Sequence, residues 1–200
     1  MSQTHKDNTR QSDYAIAPLF IDRWSPRAFT GEVVSDEALR TAFEAARWAP
    51  SSRNYQPWRF LYARSDSPRF ADFLSLLNER NRQWAHRAGA IVYILSDTLI
   101  GDGVTEALSD SHAFDTGAAW ANFAHQIHLL GYGTRAIGGF DRQAAPGILG
   151  LSDRIHVHAA VAVGQPAAPE TLPDALRQRE FPSPRHPLDA FVFEDIFIGV

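Results

Sequence analysis

Arg23-Trp24-Ser25-Pro26-Arg27 sets two guanidiniums and a hydroxyl at every second position of one short segment. Pro26 has no N–H to give a helix and biases Ser25 toward extended backbone, so the stretch is predicted to run extended. Alternate side chains of an extended chain share a face. Arg23, Ser25 and Arg27 then point one way, while Trp24 and Pro26 turn into the protein. Two guanidinium forks flanking a hydroxyl suit a phosphate, or a ligand with a phosphate at one end and an electron-rich carbonyl at the other. An exposed basic strand would carry the same five residues, so the decision falls to the segments on either side.

Before this segment, residues 1–12 read as a disordered tail, and residues 13–22 as a short helix complicated by Pro18. After it, Ser35 is a natural N-cap for a helix over 36–48, with Asp36 and Glu37 favourable in its first turn. Ala38, Leu39, Ala42, Phe43 and Ala46 form the apolar stripe of that helix, and Pro50 ends it. Trp58–Ala63 reads as a strand, 67–86 as helix in two pieces, and the unbroken apolar run Ala90–Leu95 as a buried strand. Ser111–Leu130 is the longest helical stretch. Its run of small residues and few charges predicts burial in a core or a subunit interface. Gly131 and Gly133 stop it. A short strand over 134–137, a helix capped by Asp141 toward Gly150, and a strand over Ile155–Val163 follow.

Beyond Gly164 the chain is proline-rich, with an apolar end at Phe191, Val192, Phe193, Ile196, Phe197 and Ile198. That pattern predicts an arm over about 165–200 that wraps a partner subunit. With no repeat and no second boundary, residues 13–200 read as a single domain.

Composition narrows the function classes. Hydrophobic residues make up 44% and charged residues 21% of the 200, which marks a globular chain. Net charge is −4 without a basic block, so the sequence argues against nucleic acid as a partner and makes any anion site local. There is no cysteine, which excludes disulfides, thiolate metal sites and cysteine nucleophiles. No signal-peptide pattern opens the chain, and no apolar run nears the roughly 18–20 residues that span a bilayer. A cytoplasmic location without membrane contact is the resulting expectation.

Two further stretches carry polar groups of the right kind. Ala49-Pro-Ser-Ser-Arg-Asn-Tyr-Gln-Pro-Trp58 packs short donors and acceptors between two prolines, which suits a flat ligand rich in heteroatoms, or a plain helix-to-strand turn. Gly138-Gly139 lets a ligand approach backbone N–H groups, or simply turns the chain, and lacks the spacing of a dinucleotide fingerprint. His125 and His128, and His156 and His158, have no carboxylate at metal-site spacing, so no metal is predicted. No nucleophile elbow or Walker A sequence is present.

Seven stretches in order resemble the nitroreductase-like FMN flavoproteins. They are Arg23–Phe29, Ala49–Trp58, Asn81-Arg-Gln-Trp-Ala85, Asp115-Thr-Gly-Ala-Ala119, Ile137-Gly-Gly-Phe-Asp141, Ala162-Val-Gly-Gln-Pro166 and Pro184-Arg-His-Pro-Leu188. The resemblance implies an α+β fold, with a central mixed, mostly antiparallel sheet flanked by helices, in an intertwined homodimer that binds FMN at its interface. By position it implies that Arg23, with Trp24 beside it, Ser25 and Arg185 hold the FMN phosphate. Arg27 would lie near the pyrimidine edge of the flavin. Pro50, Ser51, Ser52 and Asn54 would come from the other subunit, and Gln56 of the same loop would also bind the cofactor. Asn81, with Asn78 as its rival, and Ile137, Gly138 and Gly139 would meet the ring. Many relatives carry an acidic residue where Gly138 stands, so this flavin edge is barer.

The activity implied is ping-pong hydride transfer from NADH or NADPH to an electron-poor small molecule such as a nitroaromatic or quinone. Flavin N5 carries the chemistry, no side chain serves as a catalytic acid, and Arg27 would stabilise the charge of the reduced ring. A specialised FMN oxidase or reductive dehalogenase in the same fold, or a flavin-binding protein with little turnover, are the alternatives.

Overall fold

Every residue of Ala90–Asp97 (β2) is buried, as its unbroken apolar run predicts, and the other elements are layered about it. The structure, a computed structural model, describes residues 8–101 and 106–199. β2 pairs on one side with β1 (Trp58–Arg64) and on the other with Ile155–Gly164, which in turn pairs with Gly133–Ile137. In chain order Leu99–Gly101 is β3, Glu106–Leu108 is β4, Gly133–Ile137 is β5 and Ile155–Gly164 is β6. The main sheet runs β1-β2-β6-β5, antiparallel at each pairing, and leaves β5 as an edge. The small β3–β4 pair was not expected from the sequence.

Strand alternation divides the side chains of β2 between two cores. Val92 and Ile94 face α2 (Asp36–Arg47) and the long helix His112–Leu129, with Leu39, Ala42 and Phe123 filling the layer. Ile91, Tyr93 and Leu95 face the short helices on the opposite side, with Phe73, Trp84 and Leu149. Those helices are α3 (Phe70–Ser75), α4 (Glu79–Ala85) and α6 (Ala145–Leu149); the long helix is α5, and Asp174–Arg177 is α7. Helices thus flank the antiparallel sheet on both faces, the α+β arrangement that the resemblance implied.

Local signals explain most boundaries. Ser35 caps α2 by accepting from Ala38 N at 3.1 Å. Asp141 Oδ1 accepts from Gln143 N and Ala144 N at the entry to α6, and Gly150 closes that helix at φ +69°. The expected helix over 13–22 shrinks to α1 (Pro18–Asp22), because Pro18 takes the first helical position, where no N–H is needed.

Helix α5 buries one face on the sheet and leaves Phe114 and Leu129 exposed, at 84% and 63%. The C-terminal arm divides. Its first half docks on its own chain, where Phe29 bridges to Pro166 and Ala167 N donates to Ala28 O at 3.0 Å. Its last part keeps Phe191, Val192, Ile196, Phe197 and Ile198 exposed. Of the predicted tail, residues 1–7 lie outside the described residues; Asn8 and Arg10 hydrogen-bond to backbone carbonyls of Ile21, Asp22 and Arg23. No helix among the described residues is long and apolar enough to cross a membrane.

Candidate functional site

The segment after α1 has no ladder of its own and is held from outside. Pro26 Cγ stands 2.6 Å from where a Cβ on Gly133 would lie, so only glycine lets the segment close on the start of β5. Arg87 reaches under it, donating from Nε to Phe29 O at 3.0 Å and from Nη2 to Thr30 O at 2.8 Å. The carboxylate of Glu180, from the arm, accepts from Arg27 N at 2.5 Å and Ala28 N at 2.8 Å. Arg135 on β5 donates to Ser25 O.

Held this way, Arg23, Ser25 and Arg27 line one wall of a cavity of about 450 Å³, as their alternation predicts. Pro26 is buried beneath them. Trp24 departs from the expectation: it is half-buried and lines the cavity too. The arm brings Arg179, Phe181, Ser183 and Arg185 to the same cavity, where the charge of Arg185 acts on Arg23. Three arginines that the sequence did not single out complete the lining: Arg10, Arg135 and Arg179.

The cavity is strongly cationic. Burial, then the nearby charge of Arg185, pulls the Arg23 guanidinium below its ordinary pKa. Arg10 is lowered by burial and then by Arg185 and Arg23. Arg135 is lowered to about 10 by burial and then by Arg27. Such shifts mean that like charges crowd together with several of them partly shielded from water, an arrangement that an anion would relieve. Among the described residues only Glu180 ion-pairs with an arginine of the cavity, through Arg27 Nη1 at 3.4 Å.

From the cavity the free edge of β5 leads to Ile137, Gly138 and Gly139. Ile137 is buried in the core. Gly138 is exposed, with nothing within 4 Å of where its Cβ would stand. Gly139 is required by close approach, since a Cβ would lie 2.4 Å from Asn78 Nδ2 and 2.8 Å from Asn81 Nδ2. Asn81 Nδ2 donates to Gly139 O at 3.2 Å, whereas Asn78 caps α4 by accepting from Asn81 N at 3.1 Å. Both asparagines therefore stand at this glycine.

The polar loop is elsewhere. Pro50, Ser52, Asn54 and Gln56 are exposed on the connection from α2 to β1, with Ser51 half-buried. Ser51 Oγ accepts from Gln56 N at 3.0 Å, and buried Asp115 near the start of α5 accepts from Ser52 N at 3.2 Å. Arg53, Asn54 and Gln56 all have positive φ, at 47°, 59° and 52°. Three such residues in one loop store strain of the kind found at binding sites. The arginine cavity lies toward the other end of α5, where Arg23 acts on His125 and His128. Ten to thirteen residues of helix separate Asp115 from those histidines, about 15–20 Å at 1.5 Å per residue. One chain does not bring the loop and the cavity together.

The histidines divide as well. His125 meets Phe20 edge-on at 5.2 Å. His112 Nδ1 and His158 Nε2 each lie 2.7 Å from the hydroxyl of fully buried Ser96, with the His156 ring 4.7 Å from that of His158. Among the described residues no group of three potential ligands is set to hold a metal.

A family model described as the nitroreductase family matches residues 21–165. A solved structure described as an oxidoreductase containing FMN superposes with a TM-score of 0.94 at 43% identity, covering 98% of this chain and all of that one. A second, from Desulfovibrio desulfuricans and provisionally described as a nitroreductase in complex with FMN, gives a TM-score of 0.71 at 30% identity over 92% of this chain and 99% of its own. An NADH dehydrogenase of Thermus thermophilus is 29% identical over 86% of this chain and 92% of its own length.

Proposed function

The chain belongs to the nitroreductase family, and from that premise we propose that it is an FMN-dependent oxidoreductase that takes hydride from NADH or NADPH and passes it to a small electron-poor acceptor such as a nitroaromatic or a quinone. The observation that carries this reading is the arginine cavity with Arg23 and Arg185 at its rim, continuing along the free edge of β5 to open Gly138. A phosphate at one end and a flat ring at the other fit that shape and charge. When bound, FMN supplies the acceptance and release of hydride at its ring.

The residues divide the remaining work. Arg23, Ser25 and Arg185 hold the phosphate, with Arg10 closing over them and Trp24 lining the wall. Arg27 stands further along, secured by Glu180. Gly138 leaves the ring edge uncovered so that donor and acceptor can approach in turn, and Asn81 and the Ile137–Gly139 turn border it. No side chain is assigned as a proton donor.

The protein acts in this reading as a homodimer. The loop that carries Pro50, Ser51, Ser52, Asn54 and Gln56 lies about 15–20 Å along α5 from the arginines of its own chain, so a ligand that meets both sets takes them from two copies. Exposed Phe114, Leu129 and the apolar end of the arm are the surface such a pairing would cover. A cytoplasmic location goes with this reading, since NADH and NADPH are drawn from the cytoplasmic pool.

The test is optical. Purified protein supplied with FMN should show a yellow flavin band that NADH or NADPH bleaches and a nitroaromatic or quinone restores. A colourless protein that takes up no FMN overturns the proposal, and a flavin band that neither nucleotide bleaches removes the enzymatic part of it.

A further inference from the structure

Strand β6 carries one residue more than its pairing with β2 needs. Ile94 faces Ala159 and Leu95 faces Val157, so His158 is a bulge residue with no opposite number. The extra residue shifts the alternation: Val161 and Val163 pack toward α5, whereas Val157 packs into the opposite core. His156 and His158 are thereby brought to the start of α5, where the His112 ring lies 6.0 Å from one and 5.8 Å from the other.

Fully buried Ser96 joins two of these rings, with His112 Nδ1 and His158 Nε2 each 2.7 Å from its hydroxyl. A hydroxyl has one proton to give, so it donates to one ring and accepts from the other. Both bonds are satisfied when one of the two nitrogens carries a proton. Protons on both leave the buried hydroxyl proton without an acceptor there. The surroundings also oppose that second proton. Burial, then His156, His112 and Arg142, pull the His158 pKa down to about 4. Arg142 donates to Val157 O at 2.9 Å, beside the bulge. The carboxylates of the neighbouring elements are taken up elsewhere: Asp97 of β2 ion-pairs with Arg154 at 2.8 Å, and Asp115 of α5 accepts from Ser111 Oγ at 2.9 Å and from Ser52 N.

His112 is the first residue of α5, so its bond to Ser96 ties that end of the helix to β2 and β6. Three residues on, Asp115 holds the Pro50–Gln56 loop through Ser52 N. The loop carries positive φ at Arg53, Asn54 and Gln56, a conformation that lasts only while its anchors do. We propose that the Ser96–His112–His158 cluster is an acid-sensitive latch, which positions this loop and releases it when a second proton enters. One consequence rests on the FMN reading above: the loop serves the cofactor of a second copy, so opening the latch releases FMN.

The experiment follows hydrogen exchange of the Ser52 and Gln56 amides in FMN-supplied protein from pH 7 to 4.5, corrected for intrinsic exchange, with FMN affinity measured alongside. A His158 pKa of about 4 in the closed latch, against the ordinary 6.5 once open, predicts a loss of loop protection of roughly 10- to 60-fold over that range. His158→Gln keeps a neutral donor and acceptor near Ser96 but does not titrate, and its loss should stay below about threefold. His112→Asn is the matching change on α5 and decides the question should His158→Gln fail to fold. Level protection in the parent overturns the latch. So does a non-titrating variant that loses as much as the parent, since Asp115 would then be the group that responds. Loop opening that follows the prediction while FMN stays bound upholds the latch and removes the loop from the cofactor site. Protein that takes up no FMN overturns the FMN reading, and the exchange data still decide the latch.

Discussion

Replacing Glu180 tests how the arm builds the site. Its carboxylate is 1% exposed and holds three donors: Arg27 N at 2.5 Å, Ala28 N at 2.8 Å and the Arg27 guanidinium at 3.4 Å. Removing one partner of a buried ion pair costs about 3–5 kcal/mol, because the other charge is left without compensation. Each backbone N–H left without an acceptor would cost about 1–3 kcal/mol on its own. These losses share one carboxylate and do not add, so Glu180→Ala should destabilise by about 3–5 kcal/mol in total. That is a large part of the roughly 5–15 kcal/mol that holds a domain folded. Glu180→Gln keeps a neutral oxygen for the two N–H groups and should cost about half as much. Urea unfolding at saturating FMN is the assay for both variants, supported by thermal melts. For a domain of this size the alanine variant should melt about 6–20 °C lower. A cost below about 1 kcal/mol for Glu180→Ala would mean that the arm merely rests on the segment, and the account of how Arg27 is positioned would fall.

Arg23→Ala should weaken FMN binding by about 1.5–3 kcal/mol, the range for a charge-assisted contact, or roughly 10- to 150-fold in dissociation constant; unchanged affinity by flavin titration would remove Arg23 from the site. Truncation after Gly164 deletes both Glu180 and Arg185, so it should give insoluble or flavin-free protein, and a monomeric, flavin-loaded product in gel filtration would contradict the role given to the arm. Burial, then the neighbouring His156 and His112, pulls the His158 pKa down to about 4. The unfolded chain therefore binds more protons than the folded one between about pH 6.5 and 4, and stability should fall as pH drops through that window. Discounted for partial solvent access, the loss is about 1–2 kcal/mol. A urea midpoint that stays level between pH 7 and 4.5 would show that the Ser96 cluster tolerates protonation.

Elements whose evidence is periodic were legible before the structure. Helix α2 carries its cap, first-turn acids and apolar stripe within fourteen residues, and β2 is buried throughout. Both depend on local patterns that tertiary packing then reinforces. The β3–β4 pair was not legible, since strands of three residues are too short to show a period. Nor was the division of the arm: Glu180 and Arg185 lie five residues apart in a proline-rich stretch, where spacing carries no information about what docks where.

The candidate site shows the same limit in a sharper form. Eighteen of the nineteen basic residues are arginine, so residue type alone cannot mark the six that meet around one cavity. Arg23, Ser25 and Arg27 were found because alternation in an extended segment is a local rule. Arg10, Arg135 and Arg179 were missed because none of them sits in a local pattern that singles it out, and only the packing of the tail, β5 and the arm brings them together. Neutralisation is a property of neighbours in space. Arg27 and Arg135 look alike in sequence, yet among the described residues Glu180, 153 residues from Arg27 along the chain, is in ion-pair contact with Arg27 and acts on Arg135 from further away. The sequence thus picks out three residues that line one cavity while leaving open which other side chains the packing adds to them.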